Sequence, residues 1–270
     1  MRRFLLALLG LALLVGGFGY WEATSDPVVR EARIALPDWP AGAAPVRVLL
    51  MSDIHVQGPD MPPSRVSRIV TQANSLHPDL ILLAGDFEGE RAITTHDYSV
   101  SEATAPLAQL RATFGVVAVL GNHDKPKLTD ETRQALARAN IIVLDNEAME
   151  FGPIALAGFR SRPGKTANQL DRLPGAKLLV AHSPDLFAKL PSNISLMLAG
   201  HTHCGQIVLP LIGPIATGSQ FGTRYLCGII HERGQTLIVS AGLGTSRLPF
   251  RIGAPPDMWL ITLEGGAPVS

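Results

Sequence analysis

At 270 residues, with 46% apolar and 17% charged side chains, the chain has ample material for a buried core and lacks the composition of a disordered protein. Its 23 basic and 23 acidic residues cancel, which excludes a nucleic-acid-coating surface driven by net charge, so any attraction for phosphate must be local. Two cysteines, Cys204 and Cys227, allow at most one internal disulfide; buried free thiols are the expected state.

The chain opens on Arg2 and Arg3, followed by an uncharged run from Phe4 to Trp21 that ends at Glu22. Eighteen helical residues reach roughly 27 Å, close to the hydrocarbon thickness of a bilayer. Residues 1–22 are therefore expected to be a single-pass signal anchor in the cell (inner) membrane, with Tyr20 and Trp21 at the far interface. The basic start favours a cytoplasmic N-terminus and an extracytoplasmic body. The alternative is export after signal cleavage, because Ala23-Thr24-Ser25 fits a small-residue cleavage site and Arg2-Arg3 a twin-arginine signal. A buried helix of a soluble protein is the third reading.

Residues 23–45 read as a stalk plus a first strand over Val28 to Leu36, and residues 46–270 as the main body. In that body, short apolar runs end abruptly in polar residues: Val46 to Met51, Leu80 to Ala84, Val116 to Leu120, Leu178 to Ala181 and Leu196 to Ala199. Their Val, Ile and Leu content fits strands buried on both faces. Between the first two, Val66, Ile69, Val70, Ala73 and Leu76 recur at spacings of three and four, predicting an amphipathic helix over Ser64 to Leu76 behind Pro62-Pro63. Glu102 to Phe114, despite Pro106, and Thr129 to Ala139 are predicted helices too. After His203 the texture becomes hairpin-like: Gln206 to Leu209, Tyr225 to His231, Thr236 to Ser240 and Met258 to Leu263, with a turn at Arg233-Gly234. Strands alternating with helices give an α/β fold.

In open α/β sheets ligands gather at the carboxyl ends of strands. The ends of the five apolar runs carry Asp53 and His55, then Asp86, Asn122 and His123, His182, and finally His201 and His203. Asp53-Ile54-His55 is spaced so that an extended chain points both side chains to one face, and His201-Thr202-His203 repeats that spacing. Gly85 and Gly200 permit sharp turns at strand ends. Imidazoles, carboxylates and one amide oxygen suit Mn, Fe or Zn. Seven donors are too many for one tetrahedral site and fit two sites sharing a carboxylate. Two dications and two aspartates leave a net charge of roughly +2 that would draw a phosphate to a neutral chain.

The ordered motifs Asp-x-His, Gly-Asp, Gly-Asn-His-Asp, His and Gly-His-Thr-His resemble the calcineurin-like metallophosphoesterases, in particular a bacterial membrane-anchored phosphodiesterase-like branch. The resemblance spans about Val46 to Leu263 and includes Val239 to Ser246. It implies a four-layer α/β/β/α sandwich with the N-terminal transmembrane helix attached, and makes residues 46–270 the catalytic domain. It implies two divalent metal ions, Mn first with Fe or Zn as alternatives. Asp53, His55 and His203 would hold one ion, Asn122, His182 and His201 the other, and Asp86 would bridge them. His123 would contact the substrate phosphate and protonate or stabilise the leaving oxygen, with Asp124 orienting it. Cys204 stands where many members carry Gly, which leaves open whether its thiol touches a metal or packs as an apolar group.

The expected function is hydrolysis of a phosphodiester or pyrophosphate bond, with membrane tethering suggesting a lipid-linked or envelope substrate. Alternatives are a phosphomonoesterase or protein phosphatase, and a catalytically silent membrane-bound metal scaffold. Arg91 and His96 read as a solvated loop or a substrate wall, and Arg247 and Arg251 as a second phosphate contact or none. His77-Pro78-Asp79 reads as the junction of a helix and a strand.

Overall fold

The computed structural model describes residues 1–91, 94–124, 129–159 and 168–266. In chain order the elements are helix α1 (Arg2–Thr24), strands β1 (Val28–Leu36) and β2 (Val46–Met51), helix α2 (Pro63–Ser75), strand β3 (Leu80–Leu83), helix α3 (Val100–Thr104), strand β4 (Val116–Ala118) and helix α4 (Thr129–Arg138). Strands β5 (Ile141–Val143), β6 (Glu147–Phe151), β7 (Ile154–Phe159), β8 (Ala176–Ala181) and β9 (Leu196–Ala199) follow. The chain closes with β10 (Val208–Leu209), β11 (Gly213–Pro214), β12 (Gly228–Glu232), β13 (Gln235–Val239) and β14 (Asp257–Gly265).

Two six-stranded sheets form, ordered β1-β14-β2-β3-β4-β5 and β12-β13-β9-β8-β7-β6. Strands β2 to β5 run parallel, as do β7, β8, β9 and β13. Alternation along each strand builds the layers. Val48 and Leu50, with Leu80 and Leu82, meet Leu156, Leu178, Val180 and Leu198 of the other sheet. Leu49 and Met51, with Ile81 and Leu83, face outward and are covered by Val66, Ile69 and Val70 of α2 and Leu136 of α4. Each fully buried Leu or Val of this kind is worth about 1.5–3 kcal/mol of transfer free energy. Outside the second sheet the cover is a 3-10 helix, Pro184–Lys189, with Phe187, Leu170 and Tyr225 packed on β8 and β13. The expected four-layer α/β/β/α sandwich is thus present as two stacked mixed sheets, with its outer cover on one side made of short turns.

Several expectations need correction. Glu102 to Phe114 is not one helix: α3, capped by Ser99 and Glu102, passes at Pro106 into the 3-10 helix Ala105–Gln109, because proline removes an interior donor. Strands β5, β6 and β7 were not anticipated, although β7 is fully buried and pairs with β8. The late region is only partly hairpin: β12 and β13 pair antiparallel through Arg233-Gly234, whereas β14 lies between β1 and β2. The strand grouped with the stalk, β1, is an edge of the first sheet, parallel to β14. Finally, Cys204 and Cys227 are joined in a disulfide. They are therefore neither free thiols nor metal ligands.

Helix α1 is almost wholly exposed apart from Gly19 and Ala23, and among the described residues it is the one helix long and apolar enough to cross a membrane. A buried core helix is thereby excluded. Its last turn docks on the body: Arg251 N–H donates to Gly19 O at 2.9 Å, and Tyr20 Oη donates to Pro59 O at 3.3 Å.

Candidate metal centre

Loops following β2, β3, β4, β8 and β9 meet where the two sheets abut. Asp53 N–H donates to Gly85 O at 3.0 Å, Gly200 N–H to His182 O at 3.0 Å, and His201 N–H to the Asp53 carboxylate at 2.9 Å. The spacing argument for these motifs fails in its details. Asp53, His55, Asp86, His201 and His203 all have positive φ, between 47° and 74°, so they are not extended. Five non-glycine residues in this sparsely populated region, all at one place, are the kind of backbone strain that clusters at functional sites. Gly200, by contrast, needs space rather than a special φ, since a Cβ there would fall against Ser52 and the Asp53 carboxylate. Gly121 is crowded against Asp86 in the same way.

Two donor clusters result, one of Asp53, His55 and His203, the other of Asp86, His182 and His201. His55 and His203 both point to the first, their Nε2 atoms 3.2 Å apart, while His201 separates from His203 and turns its Nδ1 to within 3.0 Å of His182 Nε2. Asn122 Oδ1 joins the second cluster, 2.9 Å from His182 Nε2. Asp86 Oδ2 lies 3.1 Å from His182 Nε2 and 3.6 Å from His55 Nε2, between the clusters.

The tautomers can be argued from hydrogen bonds. His55 Nδ1 donates to Glu88 O at 3.2 Å and His182 Nδ1 to Ala84 O at 2.7 Å, which turns each Nε2 inward. Imidazole nitrogens and carboxylate oxygens then face one another across a buried space, and Asp53 Oδ1 has no hydrogen-bond partner there. A buried carboxylate oxygen without a partner, set among imidazole nitrogens that become ligands once they give up their protons, is a donor set that fits divalent metals.

Charge follows burial. Burial holds His203 down at about 3 and also lowers His55 and His201. Burial would lower His182 as well, but Asp86 and Asp53 outweigh it and raise His182 to about 10. Burial would raise Asp53 and Asp86, yet His203 and His182 keep the former ionised and His182 the latter.

His123 stands at the edge, its ring centroid 5.2 Å from that of His55 and its side chain 29% exposed. Its Nδ1 meets Glu90 Oε2 at 2.8 Å. Asp124 does not orient it. That carboxylate is buried and instead accepts the N–H groups of Asp86, Phe87 and Gly121 at 2.9, 2.9 and 2.7 Å, pinning the β4 loop to the β3 loop. Burial and Asp86 raise its pKa. A cleft of about 600 Å³, lined by Val56, Glu88, Glu90, Asp97 and Tyr98, opens beside these residues.

Two arginines behave differently from expectation. Arg91 is not solvated: it lines the cleft, but its buried guanidinium pairs with Asp60 at 2.5 Å and donates to Gly58 O at 2.9 Å. Arg251 is fully buried and cannot meet a phosphate. Its guanidinium donates to the carbonyls of Ala241, Gly244 and Ala254 at 2.7, 2.6 and 2.8 Å and lies 3.3 Å from His203 Nδ1. Nothing in the local sequence signals that role, which needs the β13–β14 loop to fold Arg251 back under its own carbonyls and beside His203. Glu90 was missed for the same reason.

Paired clusters of nitrogen and oxygen donors at the carboxyl ends of parallel strands are the construction of a metal-dependent hydrolase. Residues 46–205 match the calcineurin-like phosphoesterase family, and the chain belongs to it as a phosphoester hydrolase. Phosphodiesterase YaeI of Escherichia coli (strain K12) is 30% identical, covering 97% of this chain and 98% of its own length. The uncharacterized metallophosphoesterase YkuE of Bacillus subtilis (strain 168) is 29% identical over 92% and 90% respectively. A transmembrane protein with metallophosphoesterase domain from Danio rerio is 28% identical, over 97% of this chain and 63% of its own length.

Proposed function

We propose that the chain hydrolyses a phosphodiester or pyrophosphate bond at a dinuclear centre. Asp53, His55 and His203 would hold one ion and Asn122, His182 and His201 the other, with Asp86 placed to serve both. The observation that carries this is the Asp86 carboxylate, whose single Oδ2 reaches Nε2 of His182 at 3.1 Å and Nε2 of His55 at 3.6 Å. Bound metals at such a site supply Lewis-acid charge that lowers the pKa of water and neutralises phosphoryl oxygens. Manganese is the proposed occupant, with Fe or Zn as alternatives, because every donor is nitrogen or oxygen and the one nearby sulfur is tied in a disulfide.

The protein's own groups do the rest. Glu90 accepts the Nδ1–H of His123 and so favours its doubly protonated form, whose Nε2–H can give a proton to a leaving oxygen and leave a neutral imidazole behind. Asp124 keeps His123 in register by clamping its loop, and His123 N–H donates to Asp86 Oδ1 at 2.8 Å. The named activity of the Escherichia coli relative supports a diester. The apolar helix α1 and the disulfide support an anchored domain facing the oxidising side of the membrane.

The test is nitrophenol release from bis(p-nitrophenyl) phosphate by the full chain in detergent with Mn²⁺. Asp86→Ala should lower turnover by at least about 10³-fold, as loss of a group stabilising transition-state charge does. Equal turnover by the two proteins would reject the mechanism, and faster cleavage of nitrophenyl phosphate than of the diester would shift the assignment to a monoesterase.

A further inference from the structure

Among the described residues after α1, the most exposed large apolar side chains lie together at the β10–β11 hairpin. Leu211, Ile212 and Ile215 are 108%, 76% and 64% exposed. From Ile207 to Gly218 no residue is charged. Three bulky apolar groups held out from a hairpin tip are costly in water and mark an interaction surface. Pro210 and Pro214 flank the tip and carry no backbone N–H, which reduces the donors that would need partners in an apolar medium.

The position of the hairpin identifies the medium. A single segment, Phe250 to Gly253, holds both the hairpin root and the last turn of α1. Toward α1, Arg251 N–H donates to Gly19 O at 2.9 Å and Gly253 N–H to the Glu22 carboxylate at 3.0 Å. A Cβ at Gly19 would lie 3.1 Å from Phe250 Cβ, so the helix sits directly on this segment. Toward the hairpin, Ile252 N–H donates to Gln206 O at 2.9 Å and Val208 N–H to Ile252 O at 2.8 Å. Consecutive residues thus fix the root of the hairpin, two residues before its apolar tip begins, on the segment that also holds the helix that would enter the bilayer. The return arm also touches the metal centre, since a Cβ at Gly218 would be 3.4 Å from Thr202 Cα and 3.5 Å from His201 O.

We propose that the β10–β11 hairpin inserts Leu211, Ile212 and Ile215 into the lipid interface next to α1. The loop bearing His201 and His203 is thereby seated against the bilayer, and the substrate is a phosphoester carried by a membrane-embedded molecule. This rests on reading α1 as a membrane span and deepens the proposed hydrolysis. A second protein is a poorer occupant: three side chains fall well short of the roughly 800 Å² per partner of a stable interface, whereas lipid insertion asks only for an apolar tip beside an anchor.

The experiment reads depth without activity. The full chain carrying a nitrobenzoxadiazole label at Leu211→Cys is reconstituted in phosphatidylglycerol–phosphatidylcholine vesicles containing spin-labelled acyl chains. Parallel labels at Leu11→Cys, in α1, and at Ile142→Cys, on the far sheet edge, serve as references. Quenching at 11 and 211 but not at 142 is the expected result. Quenching at 11 without 211 overturns the hairpin proposal and leaves the anchor standing, while absence of quenching at both removes the anchor as well. A second arm uses the double variant Leu211→Asp, Ile212→Asp, which places charge where lipid is expected. Hydrolysis of a vesicle-embedded phosphodiester lipid should fall by about tenfold or more, and that of soluble bis(p-nitrophenyl) phosphate by less than about twofold. Equal losses on both substrates, or no loss on vesicles, overturn the proposal. Failure of the unmodified chain to cleave the soluble diester would instead count against the hydrolytic reading.

Discussion

The two donor clusters are neighbours built from the same residue types, but they differ in access and in charge. Asp53, His55 and His203 are all buried, and Arg251 braces His203 from behind. In the other cluster His201 is only partly buried and Asn122 is exposed, so this half opens toward solvent. The histidines follow suit: His203 is pushed down by burial, and His182 is raised by Asp86 and Asp53 despite burial. Burial thus favours neutral histidines in the closed half, whereas the carboxylates favour a protonated His182 in the open half. Asp86 Oδ2 lies between them, 3.1 Å from His182 Nε2 and 3.6 Å from His55 Nε2, and is the residue through which the proposed centre would be joined.

That contrast can be sharpened by mutation, beginning with the residue on the open rim that no metal needs. His123→Ala should lower diester turnover by about 10²–10⁴-fold while leaving metal content unchanged, as removal of a general acid does. Simultaneous loss of metal would make His123 a ligand instead. Next, Arg251→Met should weaken metal at the closed half alone by about 10–100-fold, the usual cost of losing a group that orients a ligand. Titration with Mn²⁺ should then resolve one weakened and one normal step; two equally weakened steps would remove the asymmetry between the clusters.

The smallest effect is the pH dependence of the metal-free protein. His203 has a folded pKa near 3 against 6.5, so below 6.5 the unfolded chain binds the extra proton and stability falls as pH drops toward 3. His182 has a folded pKa near 10, so its contribution is complete below 6.5 and is lost as pH rises toward 10. Denaturation midpoints of the stripped protein should therefore peak near pH 6.5, and metal loading at pH 8 should release about one proton from His182. A midpoint that climbs steadily from pH 6.5 to 10 would contradict the raised His182.

Much of this was legible in the sequence because chemistry and punctuation coincide. Apolar runs such as Val46 to Met51 are long enough to mark buried strands, and each stops at a side chain with a donor atom. What the sequence could not carry was anything needing distant residues to meet. Arg251 looks like an ordinary surface cation until the fold buries it beside His203, and Glu90 meets His123 only across two loops. Asp124 sits next to His123 in sequence, which suggested the wrong partner, because its carboxylate turns back to backbone donors. Cys204 and Cys227 are separated by 23 residues, and local pattern gives no reason to join them. The spacing rule for Asp53 and His55 assumed an extended chain, whereas both residues have left-handed backbones.

The central claim is tested most directly by the metal content of the full chain, stripped and reloaded with Mn²⁺ in detergent. The account predicts about two ions per chain in the unmodified protein and no more than about one in Asp86→Ala. An unmodified chain that retains one ion or none, or an Asp86→Ala variant that still retains two, would contradict a centre joined by one shared carboxylate.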